Sequence, residues 1–484
     1  MPRSAIRRPI SRTLGALAVS LLTAGAPLLA SATADEEARG LRLVTAIATG
    51  DAARVLEAIH AEFAPSLLDK RPGGWHSMAE RLASRHAGWE VSGVLTEGPH
   101  HLEITTRHPD ANWRLRFDFD PEPPHRIASF GIGPDEGEAG GQELPPLELP
   151  ASRAPEATAA ALTAWFDLLY REHGFSGAAL VVSGDRTLLE DAWGLADRRW
   201  GVPNRIDTRF DLGSINKSFT QILIGRLLAD GSLDLDDTLA ELLPEYPNPE
   251  PARKITVRHL LEHSSGLPDI FGPAFQESSK ALYRTPRDYF PLFAGRELDF
   301  EPGRGHRYSN SGFMVLGAII EAITGKPYPE VVEEWVFEPA GMTSAGFFAR
   351  DEPVSNVAEG YTPRRSDGRL TSNVFRLPVI GSPAGSAYAS VRDLLAFDTA
   401  LRHHRLLSAS WTAWYFGGPA PALGAGAADP EPAKNAVGIA GGAPGVSAVM
   451  ESDGDVAVIV LSNFDPPLAE NAGVAVYRAL RSGG

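Results

Sequence analysis

Short apolar runs stand at both ends of the stretch 153–484 and constrain its fold more than any other feature. Ala178-Ala179-Leu180-Val181-Val182 and then Leu188 to Trp193 read as a hairpin around Gly184-Asp185. Near the C-terminus Val446 to Met450 and Val456 to Leu461 read as two more strands, joined at Asp453-Gly454. Between them, over 230–410, the pattern is largely helical with proline- and glycine-rich joints. Strands first, helices between, strands last point to one mixed sheet closed by its own termini, with a helical insertion. Helices from Pro155 and from about Leu468 to Leu480 flank it.

The chemistry starts at Leu212-Gly213-Ser214-Ile215-Asn216-Lys217-Ser218, which opens an apolar run through Phe219, Ile222, Leu223 and Leu227. This reads as the first turn of a buried helix, and positions i and i+3 share a helix face, so the Ser214 hydroxyl and the Lys217 ammonium can meet. The N-terminus adds unpaired N–H groups and partial positive charge where an oxyanion could form. A nucleophilic serine needs such an activating group and such electrostatic help. Taken alone, the spacing is a weak signal that a helix cap with a solvated lysine explains more readily.

Two further stretches could join it. Tyr308-Ser309-Asn310 follows Phe300-Glu301-Pro302-Gly303 and precedes an apolar helix from Phe313 to Ile323. A buried ammonium nearby would favour the Tyr308 phenolate, which could then take the serine proton. Asn310 offers a donor and an acceptor to a substrate amide. The third stretch is Val437-Gly438-Ile439-Ala440-Gly441-Gly442-Ala443-Pro444-Gly445. Its small residues allow a backbone to lie close to a ligand, and an edge strand can give an N–H to an oxyanion. It lacks the Gly-Lys-Ser/Thr of a phosphate loop.

Together, Ser-x-x-Lys, Tyr-x-Asn and a glycine-rich strand resemble the penicillin-recognising serine hydrolases, above all the class C β-lactamase, D,D-peptidase and esterase subgroup. His259-Leu260-Leu261-Glu262-His263-Ser264-Ser265-Gly266-Leu267, Tyr308-Ser309-Asn310-Ser311-Gly312 and Pro339-Ala340-Gly341-Met342 also look like phrases of that family. The resemblance covers about 155–484. It implies an α+β fold of the β-lactamase type: an antiparallel sheet flanked by helices, with a helical subdomain. It implies Ser214 as acylated nucleophile, Lys217 sharing its proton, and Tyr308 as general base and then acid. Backbone N–H groups of Ser214 and Gly442 would form the oxyanion hole. Asn310, Gly441 and Gly442 would hold the substrate, a small ester, amide or peptide. No cofactor and no metal is implied.

One position departs from the family. Where Lys-Thr-Gly or His-x-Gly is usual, this chain has Ile439-Ala440-Gly441. A cation that would hold Tyr308 ionised, or grip a substrate carboxylate, is missing. An esterase for uncharged esters is therefore a better expectation than an efficient β-lactamase. A catalytically weakened or inactive binding or scaffold homologue is the alternative.

Other motifs carry less. His259-x-x-Glu262-His263 matches an inverted zinc-peptidase pattern, but the family phrase accounts for it. Asp234, Asp236 and Asp237 resemble a calcium loop without its bidentate glutamate, so a turn is expected. His403-His404 closes a helix. No Gly-x-Ser-x-Gly surrounds Ser214, which disfavours an α/β-hydrolase elbow. The absence of cysteine excludes thiolate catalysis, disulfides and cysteine zinc sites. A net charge of -16 argues against general nucleic-acid binding.

Residues 1–34 read as a removed signal peptide. Arg3, Arg7, Arg8 and Arg12 precede the mostly apolar Leu14 to Leu29, and Ala32-Thr33-Ala34 fits a small-residue cleavage site. A membrane anchor is the other reading, opposed by Pro27. Arg7-Arg8 hints at twin-arginine export. The expected location is periplasmic or extracellular, and no other stretch is long and apolar enough to span a bilayer. Residues 35–132 read as a small α+β unit, helices followed by a meander, resembling nuclear-transport-factor-2-like domains. Its role is either a spacer or a partner-binding module of unknown partner. Its histidines, His60, His76, His86, His100, His101, His108 and His125, show no ligand spacing. Residues 133–152, rich in Pro, Gly and Glu, read as a linker.

Overall fold

The computed structural model describes residues 34–68, 75–86, 88–96, 100–107, 113–134, 144–364, 368–421 and 431–481. The expected signal segment, apart from Ala34, and His108 lie outside them. The chain forms two units, Met1–Gly141 and Gln142–Gly484.

In the first unit the helices Ala34–Ala48, Ala52–Glu62 and Trp75–His86 precede a four-stranded antiparallel meander: Glu90–Thr96, His101–Arg107, Trp113–Phe119 and Ile127–Pro134. The Asp51 side chain accepts the Ala53 and Arg54 N–H groups and so starts the second helix. Leu102, Ile104, Leu115 and Phe117 alternate toward Leu43, Ile47, Val55 and Ile59 and form this unit's core. The strand Glu90–Thr96 has no clear apolar alternation, and sequence reading misses it.

The second unit is built on a five-stranded sheet in the order Val437–Ala443, Val446–Ser452, Val456–Ser462, Gly177–Ser183, Arg186–Trp193. The two ends of the segment meet where Val458 pairs with Val181. Every neighbouring pair is antiparallel, so the mixed sheet expected from element order is antiparallel throughout. Ala178, Leu180, Ile459 and Leu461 face one cluster with Phe219, Ile222 and Leu223. Ala179, Val181, Val458 and Val460 face another, made with Phe166, Leu169 and Val476 from the helices Pro155–His173 and Leu468–Arg481. Both faces are covered, which is why the apolar runs do not alternate.

Leu144, Leu147 and Leu149 pack on that second cluster, and Trp165 Nε1 donates to the Pro145 carbonyl at 2.8 Å. Residues 144–152, expected as linker, are therefore part of the second unit. Among the described residues, no helix is long and apolar enough to cross a membrane.

Candidate active site

Ser214 sits in a 3₁₀ turn, Gly213–Ile215, that leads into the helix Asn216–Asp230. The turn is tighter than the α-helical first turn expected, yet Lys217 still comes round to the serine. Gly213 takes φ +50, the left-handed region that favours glycine. Its N–H donates to the Asp211 carboxylate at 2.8 Å, and Arg350 pairs with that carboxylate in the interior. The Gly213 carbonyl accepts the Ser386 N–H at 3.1 Å. The turn is thus pinned from both sides. The helix behind it is buried nearly all round, through Phe219, Ile222, Leu223 and Leu227.

Lys217 Nζ lies 3.3 Å from Ser214 Oγ, 2.9 Å from Asn310 Oδ1 and 2.6 Å from the Ala384 carbonyl oxygen. It also lies 4.7 Å from the centre of the Tyr308 ring. Burial disfavours its charged form and brings its pKa down to about 7, against the pull of the Asp269 carboxylate. Tyr308 Oη donates to Ser214 Oγ at 2.7 Å. Tyr308 is 47% exposed as a whole, but desolvation where its hydroxyl enters the site raises its pKa, opposed by the Ser214 hydrogen bond and reinforced by Asp269. The phenolate expected from sequence is therefore not favoured. Desolvation acts against both charged forms, and a lysine that gives up its own charge no longer holds a phenolate.

Asn310 opens the helix Asn310–Thr324, whose start is capped by the Ser309 side chain on the Gly312 N–H at 3.0 Å. Its amide bridges: Oδ1 accepts from Lys217, and Nδ2 lies 3.5 Å from Asp269 Oδ1. Behind Tyr308 the His263 ring makes a tilted contact with centroids 4.8 Å apart, and its Nδ1 accepts the Ser309 N–H at 3.1 Å. Burial first, and then the Lys217 charge, bring His263 down to about 4, so it is a neutral packing group at neutral pH.

The edge strand Val437–Ala443 runs beside the serine. A Cβ on Gly441 would stand 2.8 Å from the Ser214 nitrogen, and one on Gly213 would stand 2.9 Å from the Gly442 nitrogen. Ala443 and Val446 flank a two-residue turn, so alternation along the hairpin directs the Gly442 N–H away from the neighbouring strand. Ile439, two residues before Gly441 on the same face, is half-buried and packs on the main core cluster. It contributes no charge. A cleft of about 780 Å³ opens over Ser214, Asn310 and Gly442. Ile270, Phe275, Met314 and Ile380 line it, with Phe271 half exposed and Phe375 88% exposed.

All six residues picked from sequence thus converge. Sequence reasoning missed Asp269 and the Ser382–Ser386 loop that presents the Ala384 carbonyl. Asp269 lies two residues past the Gly266-Leu267 phrase, the only signal that could have found it. The rejected motifs stay apart: His259 Nδ1 accepts the Thr256 N–H in a capping box, Glu262 is exposed, and Asp236 pairs with Arg258. His404 Nδ1 bonds Thr412 and His403 Nδ1 the Thr399 carbonyl.

The Beta-lactamase family profile matches residues 156–482. Esterase EstB of Burkholderia gladioli is 36% identical over 282 residues, covering 50% of this chain and 70% of that protein. Penicillin-binding protein 4* of Bacillus subtilis is 32% identical over 201 residues, 40% of this chain and only 44% of that protein. The crystal structure of a penicillin-binding protein from Bacillus halodurans is similar at a TM-score of 0.56 and 29% identity, over 66% of this chain and 98% of the other. The second unit, with its serine, lysine and tyrosine drawn to one cleft, makes this chain a member of the Beta-lactamase family of serine hydrolases.

Proposed function

We propose that the protein hydrolyses an ester or amide through an acyl-enzyme on Ser214. The observation that carries this reading is the contact of Ser214 Oγ with Tyr308 Oη at 2.7 Å and Lys217 Nζ at 3.3 Å. Lys217, neutral in part near pH 7, takes the Ser214 proton as the oxygen attacks the carbonyl carbon. The N–H groups of Ser214 and Gly442 receive the oxyanion. As the tetrahedral intermediate collapses, the Tyr308 hydroxyl gives its proton to the leaving oxygen or nitrogen, and the Lys217 ammonium restores it through the cleft. Water then attacks the acyl group by the same proton route and frees Ser214. Base and acid are thus divided between Lys217 and Tyr308.

An apolar acyl or leaving group suits the aromatic part of the cleft, whose lining also includes Lys280, Arg364 and Arg376, and the uncharged Ile439 beside the serine supports an ester over a β-lactam carboxylate. The name of the relative EstB points the same way. The basic and apolar N-terminal stretch supports export to the periplasm or beyond.

The test compares wild type with Ser214→Ala on a chromogenic short-chain ester and on nitrocefin, with fluorophosphonate labelling. Ester turnover and one labelled serine, both lost in Ser214→Ala, are expected. Ligand binding without turnover or labelling would replace this reading with a binding homologue.

A further inference from the structure

Three residues far apart in sequence meet in the first unit. Glu36, in the first turn of the helix Ala34–Ala48, is fully buried. Its Oε1 lies 2.6 Å from His100 Nδ1. The His125 ring stacks on His100 with centroids 5.3 Å apart. One donor atom from each of the three lies within 4.8 Å of the others.

The donor chemistry is that of a metal site. Donors held tetrahedrally at about 2.1 Å stand roughly 3.4 Å apart, so small side-chain shifts close the set. His125 Nδ1 faces the Asp120 carbonyl at 2.9 Å. That bond places the proton on Nδ1 and leaves Nε2 as a bare acceptor, the usual arrangement of a ligating histidine. Both histidines have left-handed backbones, φ 62 for His100 and 51 for His125. A non-glycine residue adopts that region at a cost, so the surrounding packing fixes their direction. The His100 side chain is 34% exposed, which gives an ion a way in.

We propose that Glu36, His100 and His125 bind one divalent transition-metal ion of the zinc class, with water in the fourth position. Two imidazoles and a carboxylate suit zinc or cobalt over calcium or magnesium, which prefer oxygen alone. Binding would release the proton that Glu36 and His100 share and would tie the first helix to the turns at His100 and His125.

The test uses tag-free, full-length protein stripped with a chelator. Zn²⁺ titration by calorimetry should show one site per chain, and Co²⁺ should give intense four-coordinate visible bands. His100→Gln and His125→Gln should each weaken Zn²⁺ binding at least tenfold and abolish those bands, with circular dichroism unchanged. If either variant misfolds, the wild-type Co²⁺ spectrum and stoichiometry decide. A Zn²⁺ affinity weaker than about 0.1 mM, six-coordinate Co²⁺ bands, or binding indifferent to both substitutions would overturn the proposal.

Discussion

Gly441 lies so close to Leu212 that a Cβ on it would come within 2.0 Å of the Leu212 carbonyl oxygen. That approach sets the distance between the edge strand and the turn that carries Ser214. The atom in the way is backbone, so Gly441→Ala must push the strand outward, and the Gly442 N–H with it. Loss of one oxyanion donor costs about 10²–10³ in kcat. We expect a loss of that order in ester hydrolysis, with thermal unfolding showing the variant folded. A fully active Gly441→Ala would mean the Gly442 N–H takes no part.

The Lys217 amine sets the pH dependence. As base it works only when neutral, and its pKa is near 7. Ester kcat/KM should therefore fall about tenfold per pH unit below about 7 and level off above it. Tyr308 stays protonated across the plateau, because its pKa is raised, and His263 stays neutral. Asp269 holds the Lys217 ammonium up, so Asp269→Asn should move the acidic limb to lower pH. A limb that stays in place, measured on the same ester, would remove Asp269 from the account.

Tyr308→Phe separates the two proton roles. If Tyr308 supplies the leaving-group proton, its loss matters most when the leaving group is basic. Alkyl ester hydrolysis should fall by about 10²–10⁴, the usual worth of a placed acid. Nitrophenyl esters, which expel a stabilised phenolate, should lose far less. Equal losses on both would return Tyr308 to the role of base.

The pairing of Ser214 with Lys217 is legible in sequence because three residues along a helix is itself a distance. Tyr308 and Asn310 lie some ninety residues on, and only their resemblance to a family phrase links them to the serine. The ionisation of Tyr308 is not legible: it depends on burial, which spacing does not encode. The Ala384 carbonyl is invisible for another reason, since every residue has one and only the fold decides which meets an ammonium. The antiparallel sheet was half visible. Apolar runs announce strands, but direction follows from which ends pair, here Val458 with Val181. Glu36, His100 and His125 have no shared motif at all and meet only through the meander.

Arg350 and Asp211 give a test of the scaffold beneath the nucleophile. Their side chains are 9% and 6% exposed, and Asp211 also accepts the Gly213 N–H. Arg350→Met leaves a buried carboxylate without its cation, and breaking such a pair from one side costs about 3–5 kcal/mol. Asp211→Asn on the same background removes the orphan charge while its side-chain oxygen still accepts from Gly213. The double variant should unfold at higher denaturant than Arg350→Met alone and keep more ester activity. Denaturant midpoints of the three proteins at neutral pH decide it. A double variant no more stable than the single one would mean that Arg350 supports the site by packing rather than by neutralising Asp211.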